Sequence, residues 1–264
     1  MMGVAALEVL DARKVRLFGR CDMTTEARSH GVSGRHTERL VGKLDRFLRR
    51  SGGALVDRYG GEAAAQMRQE MLDEYRRLIP EVPYIGGRRN FNSDALGFGA
   101  WALAAYRVVV GHGGSVEDVG ELLHRMMRAE LERYPEVLRH WMGRHRFGRL
   151  RQRKLARAAR RSQARHYPGD WVFERVEGDG ETFDFGVDYT ECGIVKLLRA
   201  QGGDELGPYL CDIDYVMFEA MGIGLRRTKT LAWGCDRCDF RVSKHGVTTA
   251  AWPPEFVERT CGKS

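Results

Sequence analysis

The sequence predicts an α+β protein, with a helical N-terminal half packed on a small, partly antiparallel sheet with two helices in the C-terminal half. Three observations predict it. Apolar residues recur at helical spacing through most of the first 166 positions. Strict alternation appears only after Pro168-Gly169. From there the segments read strand, strand, helix, helix, strand, strand, an order that favours hairpins over parallel crossovers. The chain divides into an N-terminal extension (1–34), a helical region (35–166), an α+β region carrying most of the cysteines (167–245) and a C-terminal tail (246–264).

The helices come first. From Thr37 to Arg50, one stripe carries Leu40, Val41, Leu44, Phe47 and Leu48. A second helix runs from about Glu62 to Ile79, with Met67, Met71, Tyr75 and Leu78 inward, and Pro80 ends it. The loop VPYIGGRRNFNSD follows, and Ser93 or Asp94 is expected to cap an apolar helix reaching Val110. Ser115 and Asp118 have capping-box spacing for a helix ending near Tyr134. Pro135 suits the first turn of a long basic helix.

The sheet comes second. Trp171 to Val176 reads as a strand, Gly178-Asp179-Gly180 as a turn, and Phe183, Phe185, Val187 and Tyr189 as the inward residues of the next strand. Thr190 to Ala200 and Pro208 to Met221 read as helices closed by glycines. Leu225 to Trp233 and Phe240 to Ser243 read as strands joined at a tip, GCDRC.

Composition narrows the function. The chain has 264 residues, with 43% hydrophobic and 30% charged residues, as expected of a globular cytoplasmic protein. The N-terminus lacks a signal-peptide pattern, and the longest apolar run is too short to span a bilayer. Six cysteines in such a chain read as thiols or ligands rather than disulfides. The net charge of +7 is concentrated in Arg144 to Arg165. Aromatics are sparse there, which argues against a nucleic-acid surface and for a solvated or subunit-facing helix, compatible with a homo-oligomer. There is no GxGxxG, Walker A, HExxH or GxSxG motif, so no cofactor is expected.

Four cysteines fall between Cys192 and Cys238. Cys192 ends a strand and opens a helix, where free N–H groups favour a thiolate. Glu191 beside it is placed to exchange protons. Cys211 and Asp214 are spaced i, i+3 on one helix face, with Phe218 continuing it inward, whereas Asp212 points elsewhere and is expected in solvent. Cys235-x-x-Cys238 has the spacing of half a zinc knuckle, but a second pair is missing, so no metal is assigned. The histidines form no recognisable triad order.

At these residues the sequence resembles the L-2-amino-thiazoline-4-carboxylic acid hydrolase family. The resemblance rests on Glu191-Cys192, Cys211 with Asp214, Arg227-Thr228, Thr230, Gly234 and Cys238-Asp239-Phe240. PYIGGRRN (Pro83 to Asn90) extends it upstream, so that it covers roughly residues 35 to 245, while Cys235 falls outside the pattern. The same half is also similar to V4R domains, which bind small molecules.

The family resemblance implies a hydrolase that opens a 2-amino-thiazoline or related cyclic amidine ring carrying a carboxylate. Relatives doing ring closure or dehydration in specialised metabolism are the natural variants. On that basis Cys192 is the nucleophile candidate, Asp214 an acid or base, and Cys211 and Glu191 further catalytic candidates. Arg227 is the carboxylate anchor, and Thr228, Arg88, Asn90, Cys238 and Asp239 are further substrate-binding candidates. The V4R similarity implies the alternative of a binding module without turnover. A zinc-stabilised structural protein is the third reading.

Overall fold

The computed structural model describes residues 34–87 and 90–254. Most of the N-terminal extension, the end of the tail, and Arg88 therefore lie outside the described residues. Among the described residues, nine α-helices and one four-stranded antiparallel sheet make an α+β fold.

The helical half holds α1 (Gly34–Ser51), α2 (Gly53–Tyr59), α3 (Gly61–Leu78), α4 (Ser93–Gly111) and α5 (Val116–Glu132). The expected stripes of α1 and α3 are buried as read. Helix α4 is apolar on nearly every side and forms the centre of the bundle. Ser115 and Asp118 form the expected capping box at α5. Neither Ser93 nor Asp94 caps α4: Ser93 is already helical, and its hydroxyl donates to the Gly87 carbonyl (2.7 Å), tying the loop to the helix start. Helix α2 is short and was not predicted.

The long basic helix is two helices, α6 (Glu136–His145) and α7 (Arg149–Ser162). The chain breaks at Arg146–Gly148, where Gly148 lies in an extended conformation ahead of α7. Helix α7 buries only Ala159. Its C-terminal end holds the β1 edge, with Ser162 and Gln163 side chains donating to the Phe173 carbonyl (3.1 and 2.9 Å).

Strands β1 (Val172–Glu177), β2 (Phe185–Glu191), β3 (Gly224–Arg226) and β4 (Cys238–Ser243) pair in the order β1-β2-β4-β3, antiparallel throughout. The sheet is thus fully, not partly, antiparallel. The third strand is shorter than read: it ends at Arg226, and Leu231–Trp233 forms a one-turn 3-10 helix capped by Thr230. Alternation places Cys238, Phe240 and Val242 inward and Asp239, Arg241 and Ser243 outward.

Helices α8 (Gly193–Ala200) and α9 (Gly207–Ala220) follow β2. Helix α9 is buried on most of its circumference because it packs on α5 while facing the sheet. That overturns one expectation. Asp212 is not in solvent; it is 2% exposed and lies 2.5 Å from His124 Nδ1 on α5, a buried pair that fastens the two helices. Among the described residues, no helix is long and apolar enough to cross a membrane.

Candidate functional site

Cys192 is the N-cap residue of α8, with extended backbone angles that end the strand before it. The close approach of the chain there is built on Gly193: a Cβ at that position would fall 2.6 Å from the Trp171 ring and from the Gly169 carbonyl. Lys196, one turn on, donates to the carbonyls of Pro168 (2.7 Å) and Asp170 (2.9 Å). The loop before β1 is thereby strapped to the start of α8, and the Cys192 position is fixed from both sides.

Three free thiols meet behind that helix start. Cys211 arrives from α9 and Cys238 from the first position of β4. They are joined through the fully buried Thr230, whose hydroxyl lies 3.2 Å from Cys211 Sγ and 3.3 Å from Cys238 Sγ. The Leu231 amide also donates to Cys238 Sγ (3.2 Å). Tyr189, the cross-strand neighbour of Cys238, faces both Cys238 and Cys192. The three positions of the sequence pattern that carry cysteine are therefore one cluster. Thr230 was in that pattern with no role assigned to it; a threonine between two cysteine-bearing segments was the available signal.

The environment reverses one electrostatic expectation. Burial pushes the Cys192 thiol up, and the neighbouring Cys211 adds to this; the N–H groups of Val195 and Ile194 pull the other way without winning. Burial likewise pushes Cys238 up to about 12, reinforced by Cys211 and Cys192. Burial and the two nearby cysteines hold the Tyr189 hydroxyl well above the phenol range. In the resting protein Cys192, Cys238 and Tyr189 are thus neutral at neutral pH. Desolvation outweighs the helix start.

Asp214 and Arg227 find each other. Arg227 donates to Asp214 Oδ2 (3.1 Å) and to the Cys211 carbonyl (2.8 Å), with both side chains 1% exposed. The guanidinium lies between the rings of Tyr215 (5.1 Å) and Phe240 (5.0 Å). Burial lowers the Arg227 pKa, but Cys211, Tyr215 and Cys238 outweigh it, so the group is held above its ordinary value.

The remaining candidates lie apart from the thiols. Glu191 is engaged by Lys196 and Arg165, which lower its pKa through hydrogen bonds. Thr228 and Asp239 sit on the outward side of β4, where the Asp239 carboxylate accepts from the Thr228 amide (2.9 Å), the Thr228 hydroxyl (2.5 Å) and the Lys229 amide (2.5 Å). They shape the β3–β4 connection. Asn90 donates to the Ile85 carbonyl (2.7 Å) and to Asp170 (2.5 Å), linking its loop to the strapped loop before β1. Cys235 is disulfide-bonded, against the expectation of free thiols. It therefore does not supply the second thiolate of a knuckle. Among the described residues no group of three His, Cys, Asp or Glu side chains is arranged to hold a metal ion.

A family model described as L-2-amino-thiazoline-4-carboxylic acid hydrolase matches residues 99–242. The chain belongs to this family. The match begins inside α4 and ends inside β4, so it contains all three thiols of the cluster. It is narrower than the span of the sequence resemblance, and PYIGGRRN lies outside it. Family membership supports a hydrolase-like function in general terms. No curated protein and no solved structure matches the chain.

Proposed function

We propose that this member of the L-2-amino-thiazoline-4-carboxylic acid hydrolase family opens a 2-amino-thiazoline or closely related cyclic amidine ring, with Cys192 as nucleophile. The observation that carries the reading is the placement of Cys192. Its sulfur faces the Ile194 and Val195 N–H groups at a helix start, close to the neutral Cys238 thiol and the neutral Tyr189 phenol.

A neutral resting thiol suits this substrate class. The amidine is itself a base, so the Cys192 proton passes to the ring nitrogen. One transfer creates a thiolate beside the helix N–H groups and an electrophilic amidinium. The thiolate adds to the ring carbon between nitrogen and sulfur. Cleavage of the ring C–S bond releases the substrate thiolate and leaves an isothiouronium on Cys192. Water adds to that carbon, one of its protons goes to the released sulfur, and the C–S bond to Cys192 breaks. The second proton restores the thiol, and the product is an N-carbamoyl-cysteine. These steps call on no cofactor. Asp214 and Arg227 act in this scheme by holding the Cys211 segment rather than by touching the substrate.

The test is turnover of 2-amino-thiazoline-4-carboxylate and a panel of related rings, followed across pH. The reactive pair carries one proton, so kcat/KM rises as the substrate amidinium deprotonates and falls when Cys192 loses its proton. Because burial raises the Cys192 pKa, the protonated form persists to higher pH. The alkaline limb is expected above the ordinary thiol value of about 8.5. A limb at or below that value contradicts the scheme. Tight binding of the panel without turnover returns the chain to the V4R-like binding reading.

A further inference from the structure

Two arginines are buried to the same degree, 6% exposed each, and they are satisfied very differently. Arg227 has Asp214, a carbonyl and two ring faces. Arg146 has no carboxylate partner among the described residues. Its Nη2 lies 3.1 Å from the Met221 sulfur, its guanidinium sits 5.3 Å from the centre of the Phe218 ring, and its Nε makes no hydrogen bond. A thioether is a weak acceptor and a phenyl face a weak counter-charge.

The fold places Arg146 here deliberately. It occupies the break between α6 and α7, where the chain turns inward. Helix α6 crosses the end of α9 so closely that a Cβ on Gly143 would lie 2.4 Å from the Met221 carbonyl oxygen. Glutamine 152 secures the break by donating to the Arg146 carbonyl (2.9 Å). Burial pulls the Arg146 guanidinium down to about 9, Tyr189 pulls it back up, and Arg151 adds to the lowering. Tyr189 is the residue that also faces Cys192 and Cys238.

A buried cation without an anion is costly, and a group so perturbed is a candidate for binding a ligand of opposite charge. Both buried acids of α9 itself are already engaged, Asp214 by Arg227 and Asp212 by His124. We propose that Arg146, in the electrostatic field it shares with Tyr189, binds the carboxylate of the ligand and sets specificity for anionic rings. This rests on the thiazoline reading above but concerns a different residue from the one its sequence suggested. Arg227 is occupied, whereas Arg146 has its fork available for a bidentate contact. The carboxylate end of the ring lies toward Arg146 and Tyr189, and the amidine carbon toward Cys192.

The experiment measures binding, not turnover, by calorimetry in carboxylate-free buffer. The probes are thiazolidine-4-carboxylate, thiazolidine and acetate; the saturated rings have no amidine carbon to attack. The wild-type protein is expected to prefer thiazolidine-4-carboxylate over thiazolidine by about 100-fold, the upper range for a charge-assisted hydrogen bond. Arg146→Gln and Arg146→Met are expected to erase that preference, and Arg146→Lys to keep part of it. Without ligand both neutral variants should melt at or above the wild-type temperature, because a buried unpaired charge has been removed. If neither ring binds the wild type, the ring reading fails while acetate still decides the anchor: a saturable rise in melting temperature lost in Arg146→Gln upholds it. The proposal is overturned by an equal response in wild type and variants, by no response of the wild type to any carboxylate, or by loss of fold in both neutral variants.

Discussion

Replacing Cys192 with alanine lowers kcat/KM on 2-amino-thiazoline-4-carboxylate by on the order of 10^4-fold or more, the scale on which removal of an attacking group acts. The chain should stay folded. Cys192 is one small side chain at the edge of the core, and removing its sulfur costs about 1 to 2 kcal/mol. Cysteines 211 and 238 do not substitute for it. Cys211 lies inside α9 rather than at its start, and Cys238, although it accepts the Leu231 N–H, is pushed up to about 12 by burial and its two sulfur neighbours. Cys211→Ala and Cys238→Ala are therefore expected to lower the rate by far less. Comparable losses at all three positions would mean that the cluster acts as a unit and that Cys192 has no special part.

The second large effect falls on stability. Asp214→Asn leaves the Arg227 charge buried without its carboxylate, and the expected cost is about 3 to 5 kcal/mol, read by urea denaturation. Arg227→Met in the same chain should recover most of it, since an apolar side chain between Tyr215 and Phe240 needs no counter-charge. The double variant should also retain most of its turnover if the pair only supports the Cys211 segment. Stable but inactive double-variant protein would instead place Asp214 or Arg227 in contact with the substrate. A single-variant cost below about 1 kcal/mol would show a pair accessible to water.

Cys192 was legible in the sequence because two periodicities meet there. Alternation runs to Tyr189, helical spacing starts two residues past Cys192, and the glycine after it permits the close approach to Trp171. Asp214 was legible as a buried acid, and so was Arg227 as an arginine that matters; their mutual pairing was not, because they lie in different elements. Asp212 was misread because α9 is buried on most sides, so one face did not exclude another. Asp239 could have been placed from alternation alone: it follows Cys238 in a strand and must face the other way. The burial of Arg146 was hidden by its neighbours. In a segment dense with arginine, composition describes the solvated majority, and only the helix break distinguishes the one that turns inward.

The proposed reaction turns on a covalent bond to one sulfur. Wild-type protein mixed with 2-amino-thiazoline-4-carboxylate, quenched in acid within the first turnover and digested for mass spectrometry, should carry the ring-opened adduct on the peptide containing Cys192 and on no other. Full turnover with that peptide unmodified at every quench time, together with undiminished activity of Cys192→Ala, would contradict it.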